Sequence, residues 1–91
     1  GEGIHFYNLA VSLQEKASNE LDDAKYMALM GEFENSLKAC IPAFEKAFEL
    51  TKDEEIKVNV AEYLKNACYR FISEGDEYKA KYDKYSAIVN G

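Results

Sequence analysis

Few residues in this sequence are able to do chemistry, and they are spread widely along it. His5 is the only histidine, and the two cysteines, Cys40 and Cys68, lie far from it and from each other. Neither a Cys-x-x-Cys pair nor a His-Glu-x-x-His stretch occurs, so the sequence predicts no metal site and no cofactor. A Gly-x-Ser-x-Gly turn and a glycine-rich phosphate loop are absent as well. We therefore expect a protein that is not an enzyme.

The two cysteines allow two interpretations. Free cysteine is among the residue types most often buried, so Cys40 and Cys68 fit small core positions where helices touch. The alternative is a disulfide between two helices, which needs an oxidising compartment and a Cα separation of at most about 7 Å.

The composition is that of a small acidic protein. The chain has 91 residues and a formal charge of −6, while 47% of its residues are hydrophobic and 13% are aromatic. This apolar content excludes a disordered chain. The negative charge argues against binding to nucleic acids, which requires a cationic surface. No apolar run is long enough for insertion into a membrane, and we expect one domain over residues 1–91.

Apolar residues recur at helical spacing almost throughout, which predicts an all-α protein. The links between the predicted helices are short, and short links join amphipathic helices into antiparallel neighbours. The sequence therefore predicts two antiparallel helical hairpins, over residues 4–50 and 54–89. The four predicted helices cover residues of about 4–18, 23–50, 54–72 and 76–89.

Each predicted helix has an apolar stripe that we assign to the core. On the second helix this stripe includes Met27 and Met30, which we interpret as flexible core filler. The tyrosines of the fourth helix are also assigned to the packed core, and the alternative for them is an aromatic patch that faces a partner. The other stripe residues are Phe6, Leu9, Ala10, Leu13, Ala17, Phe33, Leu37, Cys40, Phe44, Ala47, Phe48, Val60, Leu64, Ala67, Cys68, Phe71, Tyr78, Tyr82, Tyr85 and Val89.

The second predicted helix is long and contains both a glycine and the only proline. Gly31 weakens a helix by about 1 kcal/mol relative to alanine. Pro42 lacks an amide hydrogen and clashes with the carbonyl of Lys38, which predicts a kink near residues 38–42. Because the apolar stripe keeps its phase across both residues, one kinked helix is favoured over two separate helices.

Local signals mark the ends of the later helices. Thr51 and Glu54 have the spacing of a capping box, and Asp53 is an alternative N-cap for the third helix. We expect Gly75 to follow that helix in a left-handed conformation. Asp76 is then expected to be the N-cap of the fourth helix.

Two segments carry a helical-repeat pattern. The matched positions are Phe6-x-x-Leu9-Ala10-x-x-Leu13 in the first segment and Cys40-x-x-x-Phe44-x-x-Ala47 in the second. They resemble the first and second helices of the tetratricopeptide repeat. The chain departs from that pattern in two ways, because Lys52 replaces the usual turn proline and the first repeat is longer than the ~34 residues expected.

The resemblance is to long-helix, tetratricopeptide-like proteins of bacterial envelopes. It implies a right-handed solenoid of stacked hairpins, in which such a segment often forms the carboxyl-terminal part of a longer array. The polar last helix suits a cap, because terminal repeats present a solvated outer face. For the compartment, the resemblance favours the envelope or periplasm and leaves the cytoplasm open.

A polar face lies opposite the core stripe of the third helix, and Glu62 flanks it. In tetratricopeptide folds the first helix of each hairpin lines a concave groove. The resemblance therefore implies that asparagine amides hold a partner's backbone and that Arg70 pairs with a carboxylate. The alternative is an ordinary solvated face. The predicted groove residues are Asn59, Tyr63, Asn66, Tyr69 and Arg70, together with Tyr7 and Asn8 on the first helix.

These observations favour a non-enzymatic interaction module that presents a helical groove to a peptide or protein partner. The alternative is a structural capping segment of a longer helical-repeat protein, with no ligand of its own. Such a segment is expected to form homo-oligomers through its exposed solenoid end. A third and more remote class is an enzyme or ligand carrier with a pocket beside the long helix.

Overall fold

A computed structural model describes residues 1–91 and contains four α-helices, one 3₁₀ turn and no strand. The prediction of an all-α protein is therefore confirmed. The second helix runs without interruption through Pro42, as one helix and not two. The helices are α1 (Glu2–Ser18), α2 (Asp23–Leu50), α3 (Glu54–Tyr69) and α4 (Asp76–Asn90).

Aspartates cap two of the helices. The Asp22 carboxylate accepts a hydrogen bond from the backbone amide of Lys25 in the first turn of α2. At the start of α3, the Asp53 carboxylate accepts from the amides of Glu55 and Ile56, at 2.9 and 3.3 Å. Of the two N-caps that the sequence offered for α3, Asp53 is therefore the one used.

The predicted junction between the third and fourth helices is wrong in its details. α3 ends at Tyr69, before the predicted end at residue 72, and residues Ile72–Glu74 form a 3₁₀ turn. Gly75 has a φ of 165° and a ψ of 157°, which is extended backbone and not the predicted left-handed conformation. Asp76 is the first residue of α4, and Gly75 occupies the N-cap position without a side-chain hydrogen bond.

The chain divides into two compact units, Gly1–Cys40 and Ile41–Gly91, with the boundary inside α2. The first unit contains α1, the loop of residues 19–22 and the first part of α2. Its buried apolar residues recur at helical spacing on each helix, as the predicted stripes require. They are Ala10, Leu13, Ala17, Phe33, Leu37 and Cys40.

Several residues assigned to the core are instead on the surface. Leu9 is 42% exposed and Met27 is 70% exposed, while Met30 is half-buried. In the second unit, Ala47 is exposed as well. Helical spacing identifies an apolar face, but it cannot show which residues of that face have another element opposite them. The assignments of Leu9, Met27 and Ala47 to the core were therefore wrong.

The second unit contains the end of α2, the 3₁₀ turn, α3 and α4. Tyr69 of α3 contacts Tyr82 of α4, and Phe71, just after α3, contacts Tyr78, so the end of α3 lies beside the start of α4. The two helices are therefore antiparallel. The core of this unit consists of Ile41, Phe44, Ala61, Leu64, Ala67, Cys68, Phe71 and Tyr85.

The tyrosines of α4 contact other aromatic rings of their own unit. Tyr85 is 2% exposed and meets Phe48 edge-on, with ring centroids 5.5 Å apart. Tyr78 and Tyr82 are half-buried and have the aromatic neighbours named above. These contacts favour the packing interpretation over a patch that faces a partner.

Candidate functional site

One face of α3 borders an open hollow of about 470 Å³. Its lining residues recur at i, i+3, i+4 and i+7, which places them on a single side of the helix. Ligand sites in proteins are commonly about 300–1,000 Å³, so the hollow has room for a small molecule or for part of a peptide. The lining residues are Asn59, Glu62, Tyr63 and Asn66.

Two features of α3 determine which side faces the hollow. The Asp53 cap, six residues before Asn59, fixes where the helix begins. Ala61, Leu64 and Cys68 are completely buried on the other side of the helix. Because their burial stabilises the packed unit, it also holds the polar side of α3 outward.

Tyr63 is the one aromatic residue of the hollow, and its ring is held by packing. It stacks on the ring of Phe44 with centroids 5.0 Å apart and an angle of 8° between the planes. Phe44 lies on α2 and is 3% exposed. The Tyr63 ring is therefore a fixed wall, whereas side chains that only face solvent change rotamer freely.

The other three lining residues are polar and exposed. Each asparagine amide offers two N–H donors and a carbonyl acceptor, which matches the alternating donors and acceptors of an extended peptide backbone. Glu62 adds a carboxylate, which accepts hydrogen bonds and is charged at neutral pH. The hollow can therefore bind a polar chain, but it has no nucleophile next to a base.

Two predicted groove residues lie further along the same helix and outside the lining of the hollow. Tyr69 is 60% exposed, and its ring rests against Tyr82 of α4, with centroids 5.4 Å apart. Arg70 is the C-cap residue of α3 and is exposed. Arg70, which was expected to pair with a carboxylate of a partner, is thus not part of the lining, where the charged residue is Glu62.

The remaining predicted groove residues, Tyr7 and Asn8, lie on α1 in the first unit. Tyr7 is half-buried and Asn8 is exposed. Of the seven predicted residues, the structure brings Asn59, Tyr63 and Asn66 together in one hollow.

Sequence reasoning missed a second polar cluster, in which Glu45 of α2 joins two residues of α4. One carboxylate oxygen lies 3.3 Å from the Lys81 ammonium, and the other accepts a hydrogen bond from the Tyr85 hydroxyl at 3.3 Å. Lys81 also pairs with Glu77 at 3.3 Å. Glu45 and Tyr85 are 40 residues apart in the sequence, so no local pattern could have indicated this cluster.

Three pKa values in and beside this cluster are shifted upward. Burial and the Glu45 carboxylate raise the pKa of Tyr85 above its ordinary value. Burial raises the pKa of the Cys68 thiol from 9.0 to about 11, and the nearby Lys81 charge opposes only part of that rise. For Lys81, burial lowers the pKa, but the hydrogen bonds to Glu45 and Glu77 outweigh it, so the net shift is upward.

The cysteines do not form a reactive or ligating site. Neither Cys40 nor Cys68 forms a disulfide, and both are completely buried, which agrees with their interpretation as core residues. The raised pKa of Cys68 keeps it protonated at neutral pH, and a protonated thiol is a poor nucleophile. His5 is exposed near the start of α1. No group of three or more His, Cys, Asp or Glu residues is placed to hold a metal ion.

Comparisons with known proteins identified no relative of the chain. No protein-family model, curated protein or solved structure matches the chain. In addition, no helix has both the length and the apolar character needed to cross a membrane.

Proposed function

We propose that this chain is a non-enzymatic interaction module that holds an extended segment of a partner protein in the hollow on α3. The observation that carries the proposal is the meeting of two asparagine amides with a fixed tyrosine ring in one open hollow. The amides of Asn59 and Asn66 supply hydrogen bonds to the backbone of the segment. The Tyr63 ring supplies contact area for one of its side chains.

For the architecture, we propose one domain over residues 1–91 with tetratricopeptide-like stacking of the hairpins 4–50 and 54–89. Two observations support this proposal: four helices in the expected order, and the repeat pattern at residues 40–50. A bend of α2 near residues 38–42 belongs to the same proposal. Its support is Pro42, which leaves one carbonyl of the preceding turn without its usual amide donor.

A double substitution of the two asparagines tests the function. The probe is an array of random nine-residue peptides, with wild-type protein and the Asn59→Ala/Asn66→Ala variant applied separately. Since each lost hydrogen bond costs about 1 kcal/mol, we expect binding of the best peptides to weaken by about 10-fold or more. Both residues are exposed, so the thermal unfolding midpoint should change little.

The matched control is Asn35→Ala, which removes an exposed asparagine from α2. It should leave peptide binding unchanged. Equal binding by the wild type and the double variant would rule out the hollow as the binding site.

A second candidate function is the cap of a longer helical array, and exposed apolar side chains in the first unit favour it. Leu21 is 96% exposed and Met27 70% exposed, while Ile4 and Val11 are each about 40% exposed. A face that normally packs on another repeat leaves such residues uncovered in isolation.

Sedimentation of the 91-residue chain distinguishes the cap from the interaction module. A cap is expected to form homo-oligomers at high concentration, and Met27→Lys should restore the monomer by placing a charge in the contact. A wild-type chain that remains monomeric at millimolar concentration would argue against the cap and leave the interaction module as the only candidate.

A further inference from the structure

The charge in the hollow on α3 is negative, whereas the resemblance implied a cation, Arg70, on this face. Among the four lining residues, Glu62 alone is charged at neutral pH. Arg70, the cation predicted for this face, is outside the lining. We infer that the segment held in the hollow carries a lysine or arginine whose cationic group pairs with Glu62, an inference that rests on the proposed peptide-binding function.

The neighbouring groups suit a long cationic side chain. Glu62 precedes Tyr63, and Asn59 and Asn66 lie one turn on either side. Guanidinium and ammonium groups have only donors, and the Glu62 carboxylate and the two amide carbonyls are acceptors. The methylene stem of the cation has the Tyr63 ring as an apolar surface, in the way that such stems usually pack.

This wall of the hollow is already in place before a ligand arrives. The stack of Tyr63 on the buried Phe44 fixes the ring, so ordering it on binding loses little conformational entropy. The carboxylate of Glu62 is exposed and keeps its hydration until the cation reaches it. The ion pair between Glu62 and the cation therefore discriminates among segments by charge. The fixed Tyr63 ring contributes contact area for any segment.

The charge of the whole chain acts in the same direction. A formal charge of −6 attracts cationic segments and repels acidic ones before contact. This long-range attraction falls with added salt, because the Debye length shrinks from about 10 Å at 0.1 M to about 3 Å at 1 M. An acidic segment meets repulsion both at long range and at Glu62.

The experiment uses three matched arrays of nine-residue peptides, in which the central residue is arginine, glutamine or glutamate and the flanking residues are random. We expect the arginine array to bind wild-type protein about three- to tenfold more tightly than the glutamine array, and the glutamate array to bind least. In Glu62→Gln the preference for arginine over glutamine should fall to the small part that the remaining net charge supplies, while binding of the glutamine array is retained.

The control is Glu54→Gln, which changes the net charge by the same amount at an exposed position of α3 outside the hollow. It should keep most of the preference for arginine, because Glu62 is retained and only the net charge changes. A preference for arginine that falls no further in Glu62→Gln than in Glu54→Gln would overturn the inference.

The outcomes also separate this inference from the function on which it rests. If the wild type prefers glutamine or glutamate peptides and loses them in Asn59→Ala/Asn66→Ala, the cationic segment is wrong and the binding hollow stands. If no array binds, or if binding ignores both asparagines, the inference and the proposed function both fail.

Discussion

The ring of Tyr63 lies nearly parallel to that of Phe44, 5.0 Å away and tilted by 8°. One ring belongs to the core and the other to the surface, since Phe44 is 3% exposed and Tyr63 lines the hollow on α3. This contact is the direct physical link between the packing of the second unit and its candidate binding surface. A substitution of Phe44 in the core should therefore also affect the Tyr63 wall of the hollow.

Substitution of Phe44 by leucine tests this link. The change keeps an apolar side chain but removes the stack, so we expect a loss of about 1–2 kcal/mol in the free energy of unfolding, measured by urea denaturation. Release of the Tyr63 ring should also weaken peptide binding by a few-fold. Leu37→Ala, a core change in the first unit, is the control, because it lowers stability at a residue outside the unit that contains Phe44 and Tyr63. Loss of binding in both variants to the same extent would contradict a specific link.

The Glu45 cluster should contribute more to stability than the exposed ion pairs of α4. We expect Tyr85→Phe to lower the free energy of unfolding by about 1 kcal/mol, because the phenol loses its hydrogen bond to the half-buried carboxylate. A double-mutant cycle with Glu45→Gln should give a coupling of about 0.5–1 kcal/mol.

The comparison for that cycle is Lys79 with Asp83, an i, i+4 pair on α4 whose side chains are both more than 60% exposed. Exposed pairs of this kind contribute about 0.3–0.5 kcal/mol at most. A coupling between Glu45 and Tyr85 no larger than that of the exposed pair would contradict the role assigned to the cluster.

The sequence predicted those features of the fold that depend on interactions between residues close together in the chain. Local signals gave the bounds of α2, restricted the N-cap of α3 to Thr51 or Asp53, and favoured burial of Cys40 and Cys68 over a disulfide. The end of α3 was misplaced because the chain changes after Tyr69 to tighter bonds between residues three apart, such as that from the Phe71 amide to the Cys68 carbonyl. The conformation of Gly75 was missed because glycine permits both the extended and the left-handed conformation.

Only part of the candidate site could be predicted from the sequence. Helical spacing places Asn59, Tyr63 and Asn66 on one side of α3, but it cannot show that the lining ends before Arg70. It also cannot show that Phe44 holds the Tyr63 ring, because that contact joins two helices. The sign of the charge in the hollow therefore became visible only in the structure.

Alkaline pH should destabilise the protein through the second unit. Cys68 has a pKa of about 11 in the folded chain and 9.0 when unperturbed, so the unfolded chain loses this proton first as the pH rises. The stability associated with the neutral thiol is therefore fully present below pH 9 and is lost between about pH 9 and 11. The raised pKa values of Tyr85 and Lys81 act with the same sign, and their effects begin above the ordinary values of 10.0 and 10.5.

Urea denaturation at several pH values from 7 to 11 measures this effect. We expect Cys68 to account for about 1–2 kcal/mol of the fall in stability. Cys68→Ala should have a lower stability at pH 7, because it leaves a small cavity, but a shallower decline between pH 9 and 11. An equally steep decline in that variant would contradict a role for the thiol.

Gly31 weakens α2 at a position where a side chain would fit. It lies inside the helix, and a Cβ atom placed there would meet no other atom within 4 Å. Alanine should therefore gain the full difference in helix propensity without a clash, which is about 0.5–1 kcal/mol. For a domain of this size, such a gain raises the melting temperature by roughly 2–8 °C.

The reverse change one turn earlier, Ala28→Gly, is the control. It should lower stability by a similar amount, because Ala28 is exposed on the same helix. A Gly31→Ala variant with an unchanged melting temperature would show that this part of α2 is not formed cooperatively with the rest of its unit.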